Sequence, residues 1–191
     1  SYKESRAKAF ENLDFEDIRD GIAEVKDAAL PRLEALLEEF RANAEKAGVK
    51  VHFATDAEAA NTIISDIAKK GNVKNIVKAK SMTAEETFLN THLEKEGFKV
   101  TETDLGEWII QLRHEGPSHM VMPAIHLSRG EVAELFTTVT GEKHEPDDIN
   151  GMVKTARKKL RQAFLKADMG ISGANFAIAE SATIGLNTNE G

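Results

Sequence analysis

The sequence predicts an α/β fold, a mainly parallel sheet flanked by helices, preceded by a helical arm. Three observations lead there. Past Gly48, short β-prone runs alternate with amphipathic helical stretches. Pairs of a hydroxyl residue and a glutamate three positions on punctuate those stretches, as helix starts do. Residues 15–40, by contrast, repeat apolar side chains at helical spacing with no strand among them. The arm is therefore set at residues 1–47 and the α/β domain at residues 48–191, as one globular unit overall.

In the arm, Ile18, Ile22, Val25, Leu30, Leu33, Leu36, Leu37 and Phe40 share one face. Pro31 either divides two helices or kinks a single one, because its ring removes a donor and crowds the preceding turn. Residues 49–54 read as the first strand, and Thr55 with Glu58 as the start of a helix that buries Ile63, Ile64 and Ile67 and ends at Gly71. Asn75–Lys78 is the second strand. Thr83 and Glu86 then open a helix burying Phe88, Leu89 and Leu93. Further strands are expected at residues 98–102, 108–112 and 119–122, with turns at Asp104-Leu105-Gly106 and Gly116-Pro117-Ser118. Ser128 and Glu131 start a helix carrying Val132, Leu135 and Phe136. Ile149, Val153, Ala156, Leu160 and Phe164 line another, and short strands are expected at residues 176–179 and 183–186.

Composition excludes several functions. A net charge of -7 is wrong for a nucleic-acid partner, which needs a concentrated basic surface. With no cysteine there is no disulfide, thiolate nucleophile or cysteine-ligated cluster, so no cofactor is expected in this chain. His114, His119 and His126 stand five and seven apart, which matches no familiar zinc spacing, and no metal is expected. Neither a phosphate-binding GxxxxGK[ST] loop nor a dinucleotide GxGxxG fingerprint occurs; Gly170-Ile171-Ser172-Gly173 lacks the third glycine and the strand-to-helix setting. No apolar run reaches membrane length and no N-terminal signal is evident, so a cytoplasmic location without membrane insertion is expected.

In open parallel sheets ligands bind beyond the carboxyl ends of the strands, which selects the candidate residues. Lys80, Ser81 and Thr83 follow the second strand, where a cation, hydroxyls and helix amides suit a small carboxylate. Thr83 is equally explained as a helix cap. Asp104 and Glu107 place two carboxylates beside a turn, suited either to proton transfer or to the turn alone. Ser172, Gly173 and Asn175 come from a glycine-bearing segment that either lets backbone approach a ligand or merely turns. His126, on a loop fixed by Pro123, and Glu180, after an apolar strand, are the candidate catalytic groups.

Several of these stretches together resemble the lactate utilization protein B family: Lys80-Ser81-Met82-Thr83-Ala84-Glu85-Glu86, Glu102-Thr103-Asp104-Leu105-Gly106-Glu107, Pro117-Ser118-His119, Pro123-Ala124-Ile125-His126, and the run from Ala167 to Glu180. The resemblance implies an N-terminal LUD domain with a fold similar to the sugar-phosphate isomerase and coenzyme A transferase superfold. It also implies a component of a multi-protein system that oxidises L-lactate to pyruvate, with other subunits of the complex and a small carboxylate such as lactate or pyruvate as partners. Iron-sulfur clusters are expected in a cysteine-rich segment downstream. This chain stops at Gly191 without a cysteine, so it is expected to be a fragment of a longer protein whose electron transfer lies elsewhere. Two alternatives stay open. One is a free-standing coenzyme A transferase or isomerase with Glu180 or Glu190 as nucleophile, and the other a purely structural domain docking through its helical arm.

Overall fold

A computed structural model of the chain describes residues 2–187. They fall into two compact units: residues up to Val51 together with Ala177–Thr183, and His52–Phe176 together with the residues from Ile184 onward.

In the first unit the arm is segmented. Helix α1 (Tyr2–Ala9) is followed by α2 (Phe15–Ala29), which Asp14 caps by accepting the N–H groups of Glu16 and Asp17. Leu30–Arg32 form a 3-10 turn with Pro31 in its first positions, where the missing N–H has no helical acceptor to lose. Helix α3 (Leu33–Lys46) follows, so Pro31 divides two helices. Arg6 stacks over the rings of Phe10 and Phe15, which meet edge to face with centroids 4.9 Å apart. Near the end of α3, the Asn43 amide donates to the backbone carbonyls of Ala179 and Glu180.

The second unit holds the sheet. Strand β1 (Asn75–Lys78) lies between β2 (Lys99–Glu102) and β3 (Met169–Ile171), both parallel to it, with Ile76 opposite Val100 on one side and Met169 on the other. Asp168 sets the register of β3: its carboxylate accepts the N–H groups of Lys74 and Asn75, each at 2.9 Å. Those bonds hold the carboxyl below its usual range. Helices α4 (Ala57–Lys70), α5 (Met82–Glu86) and α6 (Leu89–Lys95) enclose one core with the strands, made of Ala68, Ile76, Ala84, Leu89, Leu93, Phe98 and Val100. Helices α7 (Leu105–Arg113), α8 (Arg129–Thr140) and α9 (Ile149–Lys166) enclose a second, where the Trp108 and Phe136 rings lie 5.5 Å apart. Helix α8 starts at the expected capping box of Ser128 and Glu131. Strands β4 (Phe176–Ile178) and β5 (Thr183–Gly185) form a separate two-stranded ladder. Among the described residues no helix is long and apolar enough to cross a membrane.

Several expected elements differ. Residues 49–54 make no strand, and the cap of α4 is Asp56, which accepts the Ala59 N–H, rather than Thr55. Residues 108–112 are helix, not strand, because Asp104 accepts the N–H groups of Gly106 and Glu107 and starts α7. Their apolar run, broken only by Gln111, suits either state, and burial against α8 and α9 decides it. Residues 119–122 are not a strand either: the His119 ring accepts the N–H groups of Val121 and Met122, which are then unavailable to a ladder. Ser81, not Thr83, caps the helix after β1, and Phe88 interrupts it at φ 52° with its side chain 73% exposed instead of buried. The third parallel strand, β3, is the element the pattern missed, since three residues with a central glycine carry no period.

Candidate functional site: buried charge at the strand ends

The last residue of β1, Lys78, is completely buried. Parallel pairing sets it beside Glu102, and its Nζ lies 2.9 Å from Glu102 Oε1 and 3.3 Å from Glu85 Oε1. The Asn90 amide donates to the same Glu102 oxygen. Burial raises the Glu102 carboxyl against the pull of Lys78. Two residues beyond β1, Lys80 is 4% exposed; its Nζ donates to the Val121 carbonyl at 2.8 Å and lies 3.9 Å from Glu107 Oε1. Burial in the first turn of α7, reinforced by the charges of Glu85 and Glu102, pushes the Glu107 carboxyl up to about 7, with Lys80 and Lys78 opposing. Three glutamates thus surround two lysines, and Glu107 exchanges its proton near neutrality. Glu102 Oε2, Glu107 Oε1 and Asn90 Oδ1 have no hydrogen-bond partner among the described residues. A cavity of about 620 Å³ adjoins the cluster, lined by Glu85, Asn90, Glu102, Glu107, His114 and Glu115 among others.

The other expected residues are placed as follows. Ser81 accepts the Ala84 N–H as a cap, and Thr83 is exposed on α5. Asp104 caps α7. Ser172 and Gly173 follow β3, so they leave the sheet at the same strand ends as Lys80 and Asp104; the Ser172 hydroxyl donates to the Gly173 carbonyl. Asn175 donates its N–H to the Gly185 carbonyl and its side-chain oxygen accepts from Asn187. Glu180 is exposed and belongs to the other compact unit, and Glu190 lies outside the described residues.

His126 sits in a network that sequence reasoning missed. Its Nδ1 is 2.8 Å from Ser118 Oγ and its Nε2 is 3.0 Å from Glu115 Oε2. Glu115 is also paired with Arg113 at 2.7 Å, and both partners hold its carboxyl below the usual range. Ser118 and Pro123 tie the loop together, the serine donating both its N–H and its hydroxyl to the Pro123 carbonyl. Lys78, Glu85, Glu102 and Asn90 were likewise not among the expected site residues. The available signal was a charged pair, Lys78 and Lys80, at alternate positions of an otherwise apolar strand end. No cluster of metal-ligating side chains occurs among the described residues.

An α/β domain with titratable groups gathered at the ends of two of its three parallel strands, β1 and β2, is the class that fold and site define. The chain belongs to the LUD domain family, whose model matches residues 37–191. It is 44% identical over all 191 residues to lactate utilization protein B of Oceanobacillus iheyensis, covering 40% of that protein. It is 43% identical over 190 residues to lactate utilization protein B of Bacillus subtilis, covering 97% of this chain and 39% of that one. The chain therefore spans about two fifths of the length of these relatives. No solved structure matches it.

Proposed function

We propose that this chain is a domain of a cytoplasmic lactate-utilization protein, acting with partner subunits in the oxidation of L-lactate to pyruvate. The observation that carries the reading is the 44% identity to lactate utilization protein B along the whole of this chain. That oxidation releases two electrons and two protons. Iron-sulfur clusters of a segment outside this chain would take the electrons; with no cysteine, the residues here do not suit such a cluster, and no step in this domain runs through one.

The domain's own part is binding and proton exchange. Lys80, with Ser81, Thr83, Asp104, Ser172, Gly173 and Asn175 around the strand ends, forms the site for the substrate carboxylate. Glu107, 3.9 Å away, offsets the Lys80 charge while that carboxyl is ionised. Protonating Glu107 near pH 7 releases the lysine charge for a ligand, so carboxylate binding takes up a proton. His126 is a second proton acceptor. The test is a chimera in which this domain replaces the corresponding segment of the Bacillus subtilis relative, in a strain lacking that protein. Growth on L-lactate is expected, with Lys80→Met abolishing it at normal protein levels; a stable chimera that fails to support growth overturns the reading.

A further inference from the structure

Outside the buried charge cluster, the loop after α7 assembles a second set of groups. Ser118 Oγ, the His126 ring and the Glu115 carboxylate stand in series at 2.8 and 3.0 Å. This is the order nucleophile, base and orienting acid, recognised by geometry and not by sequence position. In the tautomer whose Nε2–H donates to the Glu115 carboxylate, the Nδ1 lone pair faces the serine hydroxyl. The hydroxyl has a second acceptor in the Pro123 carbonyl, 2.9 Å away, and that carbonyl keeps the Ser118 N–H when the hydroxyl turns to the ring. Arg113, on Glu115, keeps the carboxylate ionised and able to stabilise an imidazolium. The side chains of His126 and Glu115 are 37% and 36% exposed, so the group is reachable from solvent. The N–H groups of His119 and Met120, next in the chain after the serine, make no hydrogen bond among the described residues.

We propose that Ser118, His126 and Glu115 form an acyl-transfer site, with Ser118 as nucleophile, for small neutral or cationic acyl donors. In the step, Ser118 Oγ bonds to the acyl carbon as its proton passes to His126 Nδ1. The bond from carbon to the leaving oxygen or sulfur breaks, and that atom takes the proton from the ring. Water, deprotonated by the same nitrogen, then cleaves the acyl-serine and restores the hydroxyl. The preference for uncharged or cationic donors follows from the adjoining cavity, whose lining includes Glu85, Glu86, Glu94, Glu102, Glu107 and Glu115. An anionic donor such as a coenzyme A thioester meets that lining with like charge. The inference shares His126 with the lactate reading but needs neither substrate nor partner of that system.

The test is incubation of the 191-residue chain with diisopropyl fluorophosphate, followed by intact mass and peptide mapping. One adduct on Ser118, formed with loss of fluoride, is expected, and none in Ser118→Ala. His126→Gln should slow labelling by about a hundredfold and Glu115→Gln by about tenfold, in line with the loss of a general base and of its orienting partner. Hydrolysis of para-nitrophenyl acetate should exceed that of the para-nitrophenyl hemiester of succinate, by a margin that shrinks at high salt. Absence of an adduct on Ser118, or labelling equally fast in both folded variants, overturns the proposal. Faster turnover of the anionic ester overturns the assigned substrate class.

Discussion

Glu107 is a carboxyl 4% exposed whose nearest cation stands 3.9 Å away, too far for a hydrogen bond. Its ionised form is therefore poorly solvated, and the proton stays on to about pH 7. A carboxyl raised on folding contributes most below its unfolded value, near 4.5, and the contribution falls as pH rises through 7. Glu107→Gln mimics the protonated form at every pH. The stability difference between variant and parent should thus grow in favour of the variant from pH 4.5 to pH 8, by on the order of 3 kcal/mol at most. Urea unfolding of both proteins at several pH values reads it directly. The comparison cancels the opposite trend from Asp168, Glu115 and Glu131, whose carboxyls are lowered. A pH-independent difference would mean that Glu107 titrates normally and that Lys80 is not released near neutrality.

Helix α7 carries the site at both ends: Asp104 and Glu107 in its first turn, and Glu115 just past its left-handed cap at His114. Its position is fixed by the buried Pro123, whose ring Cγ would lie 2.9 Å from a Cβ added at Gly106. The proline ring is rigid and cannot swing aside as a flexible side chain would. Gly106→Ala should therefore push the loop of residues 114–127 off the helix, costing roughly 1–3 kcal/mol. It should also disrupt the series of Ser118, His126 and Glu115. Thermal unfolding together with histidine resonances of His126 would show both effects, and an unchanged His126 environment would sink the idea that this contact places the loop. The same helix shows what was legible in the sequence. Asp104-Leu105-Gly106-Glu107 was found as a feature, but a capped helix start and a tight turn use the same residues. Trp108 to Leu112 then read as a strand, because four apolar residues around a single polar Gln111 carry no clear period of their own. Helices with long amphipathic patterns, such as α9, and the box of Ser128 with Glu131 were recoverable, whereas the like pairs Thr55 with Glu58 and Thr83 with Glu86 misplaced their caps, because Asp56 and Ser81 lie nearer the true helix starts. Lys78 and Glu102 were not, since their meeting depends on the register between two strands.

At the scale of the whole chain, alternating elements were enough to anticipate a parallel sheet under helices, because each β-prone run needs a crossover before the next. What that pattern could not supply was the composition of the two compact units. Residues 177–183 belong with the N-terminal helices, a long-range association through Asn43 that no local signal announces. The change of unit near residue 51 falls where residues 49–54 form neither helix nor strand, and most of them are exposed. Backbone without ladder or helical hydrogen bonds enters a protease cleft at little cost, whereas cutting β1 or α7 requires unfolding a core. Trypsin should therefore cleave first after Lys50, ahead of Lys78, Lys80 or Arg113, and mass spectrometry of a brief digest would identify the first fragments. Because residues 177–183 stay covalently joined to the C-terminal fragment while associating with the N-terminal one, the two pieces should elute together from a sizing column under native conditions and part in denaturant. Prompt separation of the pieces under native conditions would show that the Asn43 contacts do not hold the first unit together.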